Sequence, residues 1–193
     1  GQDSQCVAAW NGGKRVGIHH SYLAAASENI LVGGSTIPTA EMQPEDWLIE
    51  DVILHKPLRW KDDGRNRQVK NLLEFKHGRN LTARRILAVN NWRAAQDGRA
   101  LLIHYTTNGR CPECGNLEQG LVEDLVMLNV DAGVSLQGYS WQKDSFSDGK
   151  LKSVTLRNLY VQIAHGGRAI QISNVLGDHD VSIERSTIIN SGT

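Results

Sequence analysis

Three side chains that could move protons fall at matching places in two neighbouring strand-like runs. Glu74 and Lys76 lie in the run Asn71–Lys76, and His104 lies in the run Arg99–Tyr105. Because side chains alternate along a strand, all three are predicted to point outward. If the runs pair about 4.8 Å apart, Lys76 and His104 stack on one outer face with Glu74 close by. This trio predicts acid–base catalysis, while an ordinary solvated ladder of polar side chains is the plainer interpretation.

One reaction that such a trio could catalyse is β-elimination next to a carboxylate. That reaction needs a base such as Lys, Arg or His to remove the proton next to the carboxylate. A second cation beside Lys76 would favour its neutral, basic form. Glycoside hydrolysis instead needs two carboxylates about 5–9.5 Å apart, and Glu74 is the one carboxylate predicted to face outward on these strands. The sequence therefore favours elimination over hydrolysis.

Aromatic and basic residues that could bind an acidic sugar chain lie in the connections between strands. Trp60 is flanked by Arg59 and Arg65, and Trp141 lies in a later loop. An exposed indole face stacks on sugar rings and hydrogen-bonds through its N–H group. These four residues are predicted to bind substrate. The competing interpretations are a solvated basic loop and tryptophans that cover the core, and the second is favoured for Trp92.

The three cysteines give no metal site. Cys111 and Cys114 form one Cys-x-x-Cys pair, whereas a structural zinc site needs four ligands and no second pair exists. A thioredoxin-like motif would need a helix in a βαβ setting, which the sequence lacks. We therefore predict a local disulfide between Cys111 and Cys114 that closes their loop, with Cys6 free. No cofactor is predicted from these residues.

Composition excludes some functions. Lys and Arg together number 21, as do Asp and Glu, so the net charge is +0 and no overall field favours nucleic acid. No apolar run approaches the roughly 18 residues that a membrane helix needs, and no signal peptide is visible. We therefore predict no nucleic-acid partner and no membrane insertion. The apolar fraction of 40% is enough for one continuous core, so residues 1–193 are interpreted as a single domain.

A two-strand unit recurs along the chain. Its first strands are predicted to start at residues 16, 47, 81, 125, 154 and 181, and a second short strand follows each of the first five. A unit this small cannot bury its own apolar face, so the units must stack. The fold class predicted is all-β: a right-handed parallel β-helix, or solenoid, of about five to six coils. A β-sandwich competes, but no Asn-Gly or Asp-Gly hairpin joins adjacent alternating runs.

The spacing of the units also places the loops. Loops 35–46, 55–70, 106–120 and 139–150 are predicted to protrude from the coils, and such loops are the usual place for function. The last unit lacks its second strand, and no capping helix is visible at either end. An open solenoid end exposes strand edges and core. The expectation is therefore a fragment of a longer solenoid, or ends covered by other chains.

The stretch Asp46–Tyr105 resembles secreted bacterial proteins with right-handed β-helix repeats, of the pectin-lyase-like superfamily. The runs that match are Lys56–Trp60, Val69–Lys76, Asn90–Trp92 and Ala95–Gly98. The resemblance implies an extracytoplasmic protein that faces carbohydrate. Many lyases with this fold bind calcium through clustered carboxylates, so the resemblance makes calcium the one cofactor to consider. The sequence shows no such cluster of carboxylates. It implies no particular reaction, because the superfamily also includes hydrolases, phage tailspikes and adhesins.

Two functions from different classes follow. The first is a polysaccharide lyase that acts on an acidic polysaccharide with Lys76, His104 and Glu74. The second is a non-catalytic module that binds a glycan or builds a surface assembly, such as a tailspike or adhesin. Both make a polysaccharide the expected partner.

Overall fold

The computed structural model describes residues 3–104, 111, 114, 116–138, 151–173 and 181–190. Strands dominate these residues, with one short helix, α1 (Arg59–Asp62), and one 3₁₀ turn, Ala40–Met42. The strands are β1 (Val7–Ala9), β2 (Lys14–Ala24), β3 (Ile30–Val32), β4 (Glu45–His55), β5 (Leu73–Phe75), β6 (Gly78–Asn91), β7 (Arg99–His104), β8 (Leu117–Val130), β9 (Ala132–Gln137), β10 (Leu151–Ile163), β11 (Ile170–Ser173), β12 (Val181–Glu184) and β13 (Thr187–Asn190).

The strands form two parallel sheets that the chain visits in turn. The short strands form one sheet in the order β1-β3-β5-β7-β9-β11, which we call the short-strand sheet. The long strands form the other in the order β12-β10-β8-β6-β4-β2, with β13 paired to β10, which we call the long-strand sheet. Each coil thus adds one strand to each sheet. This all-β arrangement of parallel strands fits a β-solenoid, in agreement with the predicted fold class at that level.

The long strands turn corners without breaking their hydrogen bonds. In β6 the buried positions are 78, 81, 83, 86, 88 and 91, so an extra residue interrupts the alternation three times. The interrupting residues Asn80, Arg85 and Asn90 have φ values of 51°, 51° and 59°. A single residue in this left-handed region bends a strand and reverses which face its neighbours occupy. Equivalent residues in β2, β4, β8 and β10 have the same conformation, so the corners stack from coil to coil.

The core is a continuous stack of apolar side chains between the sheets. Phe75, fully buried in β5, pairs in register with Val32 on one side and Ile103 on the other. Ile103 in turn pairs with Leu136 in β9. This stacking explains why one coil alone would be unstable, since each buries its apolar residues against its neighbours.

The register corrects one predicted boundary. The fourth unit was expected to begin at residue 125, but Leu81 pairs with Gly120 and Ile86 with Leu125. Strand β8 therefore starts earlier, at Leu117, and loop 106–120 ends before it. The sequence pattern failed here because Gly120 replaces the large apolar residue found at this position in the other coils.

A fully buried lysine holds the connection between β2 and β3 in place. Lys56 has no exposed surface, and its Nζ donates towards the carbonyl oxygens of Ala25 and Ala26, each at 3.0 Å, and of Ser27. Asn29 Oδ1 completes the group at 3.2 Å. These carbonyls belong to a buried turn and need donors. Burial lowers the pKa of Lys56 to about 7.

Charged side chains of opposite sign alternate from coil to coil on the outside of the long-strand sheet. Register pairs place Lys14, Glu45, Arg79, Glu118 and Lys152 in one column, and His19, Glu50, Arg84, Glu123, Arg157 and Glu184 in a second. The Nη2 atom of Arg84 lies 2.7 Å from Glu50 Oε2, and that of Arg157 lies 2.6 Å from Glu123 Oε2. We call these columns the charge ladders. They favour one stacking order of the coils, because like charges directly opposite are destabilising.

The dependence of the stability of the protein on acid pH should involve Arg85. This residue bonds both Glu50 and Asp51, and the neighbouring arginines hold the pKa values of both carboxyls below their usual range. We expect Arg85→Gln to lower the melting temperature by a few degrees at neutral pH. The stabilisation by these ion pairs is complete above the pKa values of the unfolded carboxyls, 3.8 for Asp51 and 4.5 for Glu50. It is lost as the pH falls through the lower pKa values of the folded state. The gap between variant and wild type should therefore close below pH 4.

Arg15→Gln is the matched control for this measurement. Arg15 occupies a different left-handed corner, with a φ of 56°, and is exposed, with no ion pair among the residues that the structure describes. Its replacement should leave the melting temperature unchanged. An equal loss in both variants would show that the arginine at the corner, rather than its ion pairs, matters.

Candidate functional site

The structure brings Glu74, Lys76 and His104 together on the outer side of the short-strand sheet. Lys76 Nζ lies 3.2 Å from Glu74 Oε1, and His104 Nε2 lies 3.7 Å from the same oxygen. The other carboxylate oxygen of Glu74 accepts a hydrogen bond from Asn71 Nδ2 at 2.8 Å. One carboxylate therefore links the two predicted proton-transfer residues.

The burial of this face differs from the prediction of a solvated ladder. Glu74 is 1% exposed, and its register neighbours Leu31, Leu102 and Ser135 are also buried. The side chains of Lys76 and His104 remain 22% and 21% exposed. A buried carboxylate is unfavourable unless it is paired and hydrogen-bonded, and the contacts of Glu74 with Lys76 and His104 meet this need. A ligand could reach only Lys76 and His104.

Two glycines make room for Lys76. A side chain on Gly34 would meet Lys76 Cδ at 2.5 Å, and one on Gly33 would meet the backbone nitrogen of His77 at 2.8 Å. Both glycines have positive φ values, 86° and 101°, which other residues rarely adopt. The Gly33-Gly34 pair therefore lets the turn after β3 pass close beside Lys76 and limits the room in which its side chain can move.

This geometry suits an acid–base pair with unequal roles. The negative charge of Glu74 lies 3.2 Å from Lys76 Nζ and pairs with the lysine. His104 is therefore the better proton acceptor, because a neutral imidazole has a nitrogen lone pair and an ammonium group has none. Lys76 is placed to neutralise a substrate carboxylate. The three residues could thus supply a base, a cation and the group that positions both.

The predicted sugar-binding residues do not form a cluster as close as that of Glu74, Lys76 and His104. Trp60 lies in α1 and is half-buried, and the guanidinium carbon of Arg67 lies 4.8 Å from the centre of its ring. One indole face is therefore already covered by a cation. Arg59 and Arg65 are exposed on either side. Trp92 is 7% exposed and covers the core, as predicted, and Trp141 lies outside the described residues.

Cys111 and Cys114 are joined by a disulfide, and their Cα atoms are 5.3 Å apart. Both are buried against Ile37, which lies in the loop after β3. The small cluster therefore ties two loops together at the same edge of the short-strand sheet. Cys6 is a free, exposed cysteine.

A polar chain that the sequence did not reveal crosses four coils on the long-strand sheet. Asn129 Nδ2 donates to Asn90 Oδ1 at 2.7 Å, and Asn90 Nδ2 lies 2.9 Å from His55 Nε2. An amide nitrogen can only donate, so His55 Nε2 accepts, and Nδ1 of the neutral ring holds the proton. That proton points to the hydroxyl oxygen of Tyr22. The sequence contains no signal for this row of hydrogen-bonded side chains, because its residues come from four separate units.

No group of three or more His, Cys, Asp or Glu side chains that could hold a metal lies within the described part of the chain. Within the same part, no helix is long and apolar enough to cross a membrane. Comparison with known proteins found no matching family model, no matching curated protein and no matching solved structure.

Proposed function

We propose that this chain is a right-handed parallel β-helix of the pectin-lyase-like kind, from a secreted bacterial protein, and that it cleaves an acidic polysaccharide by β-elimination. The handedness is supported by the parallel pairing of β3 with β5 and of β5 with β7, across crossovers that include a long strand. Crossovers between parallel strands of one sheet are right-handed in about 98% of cases. The extracytoplasmic location is supported by the disulfide and by the resemblance of Asp46–Tyr105.

The observation that supports catalysis is the shared carboxylate of Glu74. It holds Lys76 and His104 on adjacent rungs, with the outer part of each side chain accessible. Positioned acid–base groups need this kind of support from residues that are themselves buried. The arrangement favours a reaction that uses one base and one cation at the same place.

Elimination uses these groups in the following way. The Lys76 ammonium pairs with the uronate carboxylate and stabilises the negative charge that develops there. His104 accepts the proton from the carbon next to the carboxylate. The electron pair forms a double bond to the neighbouring carbon, whose bond to the glycosidic oxygen breaks. That oxygen leaves with a proton taken from water, so one chain becomes two without hydrolysis.

Arg59, Arg65 and Trp60 supply a binding surface in this proposal. Both arginines are exposed and would contact acidic units of the chain, while the free face of Trp60 would stack on a sugar ring. These residues come from one connection, between β4 and β5. Their replacement should therefore weaken binding and leave the chemical step intact.

The test is an ultraviolet absorbance assay for unsaturated products with a panel of uronate polysaccharides. We expect His104→Ala and Lys76→Ala to lower the rate by about 10²–10⁴-fold. His20→Ala and Lys152→Ala, which replace exposed residues on the other sheet, should keep full activity. No product with any uronate polymer, or equal rates in all four variants, would refute the lyase proposal.

The second candidate is a glycan-binding or structural module without catalysis. This function is favoured by the contacts within the site, because the Glu74 carboxylate already pairs with Lys76 and His104 and accepts a hydrogen bond from Asn71. A closed network of this kind also stabilises an outer face without any substrate. Retention of a uronate polymer without product, and its loss in Arg59→Ala or Arg65→Ala, would support this function.

A further inference from the structure

A separate cavity of about 250 Å³ lies at the corner where the long strands give way to the short-strand sheet. Three arginines from different parts of the chain line it: Arg93 follows β6, Arg99 opens β7 and Arg168 precedes β11. Asp97, Asp131 and Gln171 complete its polar lining. The long-range packing of the coils, rather than any local motif, brings these groups together.

The two carboxylates of the cavity are already engaged. Asp131 Oδ2 accepts a hydrogen bond from the backbone N–H group of Arg93 at 2.7 Å, and its Oδ1 lies 2.8 Å from His165 Nδ1. Asp97 Oδ2 lies 2.6 Å from Arg99 Nη2, and its Oδ1 lies 3.9 Å from Arg93 Nε. The two aspartates therefore fix the corner and the arginines.

Positive charge remains after this pairing. Three guanidinium groups face two carboxylates, and Arg168 has no ion pair among the residues that the structure describes. Within the described part of the chain, the guanidinium group of Arg93 has only a long contact, 3.9 Å, to Asp97. A guanidinium presents two parallel N–H groups that match the two oxygens of a carboxylate. The cavity can thus accept one further anion.

The walls of the cavity are tightly built. A side chain on Gly167 would lie 1.6 Å from the carbonyl oxygen of Asp131, and one on Gly133 would lie 2.3 Å from that of Ala169. The turn that presents Arg168 is therefore pressed against the corner that presents Asp131. This contact fixes the distance between Arg168 and the arginines of the earlier coil.

The cavity shares a face with the Glu74 cluster. Its residue Gln171 pairs in register with Ser135, which pairs with Leu102, which pairs with Glu74. Three rungs at about 4.8 Å separate Gln171 from Glu74 by roughly 14 Å along the coil axis.

We propose that this cavity binds the carboxylate of a uronic acid unit, as a subsite for the acidic polysaccharide of the proposed function. Arg168 and Arg93 pair with the carboxylate, and Gln171 hydrogen-bonds a ring hydroxyl. A cavity smaller than the usual 300–1,000 Å³ of drug-sized ligands fits a single sugar unit. The inference rests on the proposed function for its substrate class, and on the described arginines for its location.

Calorimetric titration with short uronate oligosaccharides tests this subsite. We expect Arg168→Gln to weaken binding at least about tenfold, the loss of one charge-assisted pair. Arg168 is exposed, so the variant should fold normally. Arg185→Gln, at an exposed corner of the last described coil, is the control and should bind as wild type. Neutral oligosaccharides of equal length should not bind.

The outcomes separate this subsite from the proposed catalysis. Unchanged binding in Arg168→Gln, or equal binding of neutral oligosaccharides, would overturn the subsite whatever the elimination assay shows. Tighter binding of sulfated neutral sugars than of uronates would overturn its carboxylate specificity. Loss of uronate binding in Arg168→Gln, in a protein that yields no unsaturated product, would support the subsite and refute the lyase.

Discussion

Replacing Lys56 with methionine should lower the free energy of unfolding by about 1–3 kcal/mol, the usual cost of leaving buried hydrogen-bond acceptors without a donor. The methionine side chain fills a similar space but donates no hydrogen bond. The carbonyl oxygens of Ala25, Ala26 and Ser27 would then be buried without this donor. Urea unfolding monitored by circular dichroism measures the change. A loss below about 1 kcal/mol would contradict this interpretation of the buried lysine.

Two comparisons make the Lys56 result specific. Lys152→Met removes an exposed lysine that pairs with Glu118 and should change stability by less than about 1 kcal/mol. The second comparison uses pH. The unfolded side chain has its ordinary pKa of 10.5 and the folded one a pKa of about 7, so the unfolded chain binds more protons between these values. Wild-type stability should therefore rise with pH in this window, and Lys56→Met should lack that rise.

Replacing Gly133 with alanine should cost about 3 kcal/mol, at the upper end of the usual range for overpacking. The added methyl group would lie 2.3 Å from the carbonyl oxygen of Ala169 and 2.7 Å from Val161 Cγ1. The first contact is with backbone, which cannot move without shifting β11. Thermal unfolding should show a large drop in melting temperature, and uronate binding should weaken with it.

Gly17→Ala is the control for Gly133→Ala. The new methyl group would also lie 2.3 Å from another atom, but that atom is Nε2 of an exposed histidine, His19. Such a side chain can rotate away, so the expected change is within about 0.5 kcal/mol. Equal losses in the two variants would show that the glycines matter for backbone conformation rather than for space.

The repeat pattern of the sequence predicted most strands because each coil must bury the same positions. The halves of β6, at Leu81–Ala83 and Ile86–Ala88, were visible as apolar pairs separated by polar residues. That separation is the left-handed corner at Arg85. The pattern misplaced the start of β8, where Gly120 lacks an apolar side chain, and it missed the short strand β1 (Val7–Ala9). Periodicity is read from side chains, and the backbone hydrogen bonds that define these strands leave no such trace.

The sequence predicted which residues form the candidate site, but it did not predict how deeply they are buried. Strand alternation put Glu74, Lys76 and His104 on one face, and the structure places them within 3.7 Å of a shared oxygen. Alternation could not show that Glu74 is buried, because it reports which face a side chain occupies and not whether that face is covered. Lys56 was missed because the carbonyl groups that it binds lie in another coil, and Arg168 was missed because the cavity that it lines also needs residues of an earlier coil.

The charge ladders also restrict how this chain can change in length during evolution. Loss of the coil that contains Arg84 would place Glu50 opposite Glu123, and its duplication would place Arg84 opposite a second arginine. Each change sets like charges against each other in two columns at once. A gain or loss of two coils keeps the order of signs intact. Solenoids descended from this one should therefore differ by even numbers of coils, unless compensating charge reversals accompany the change.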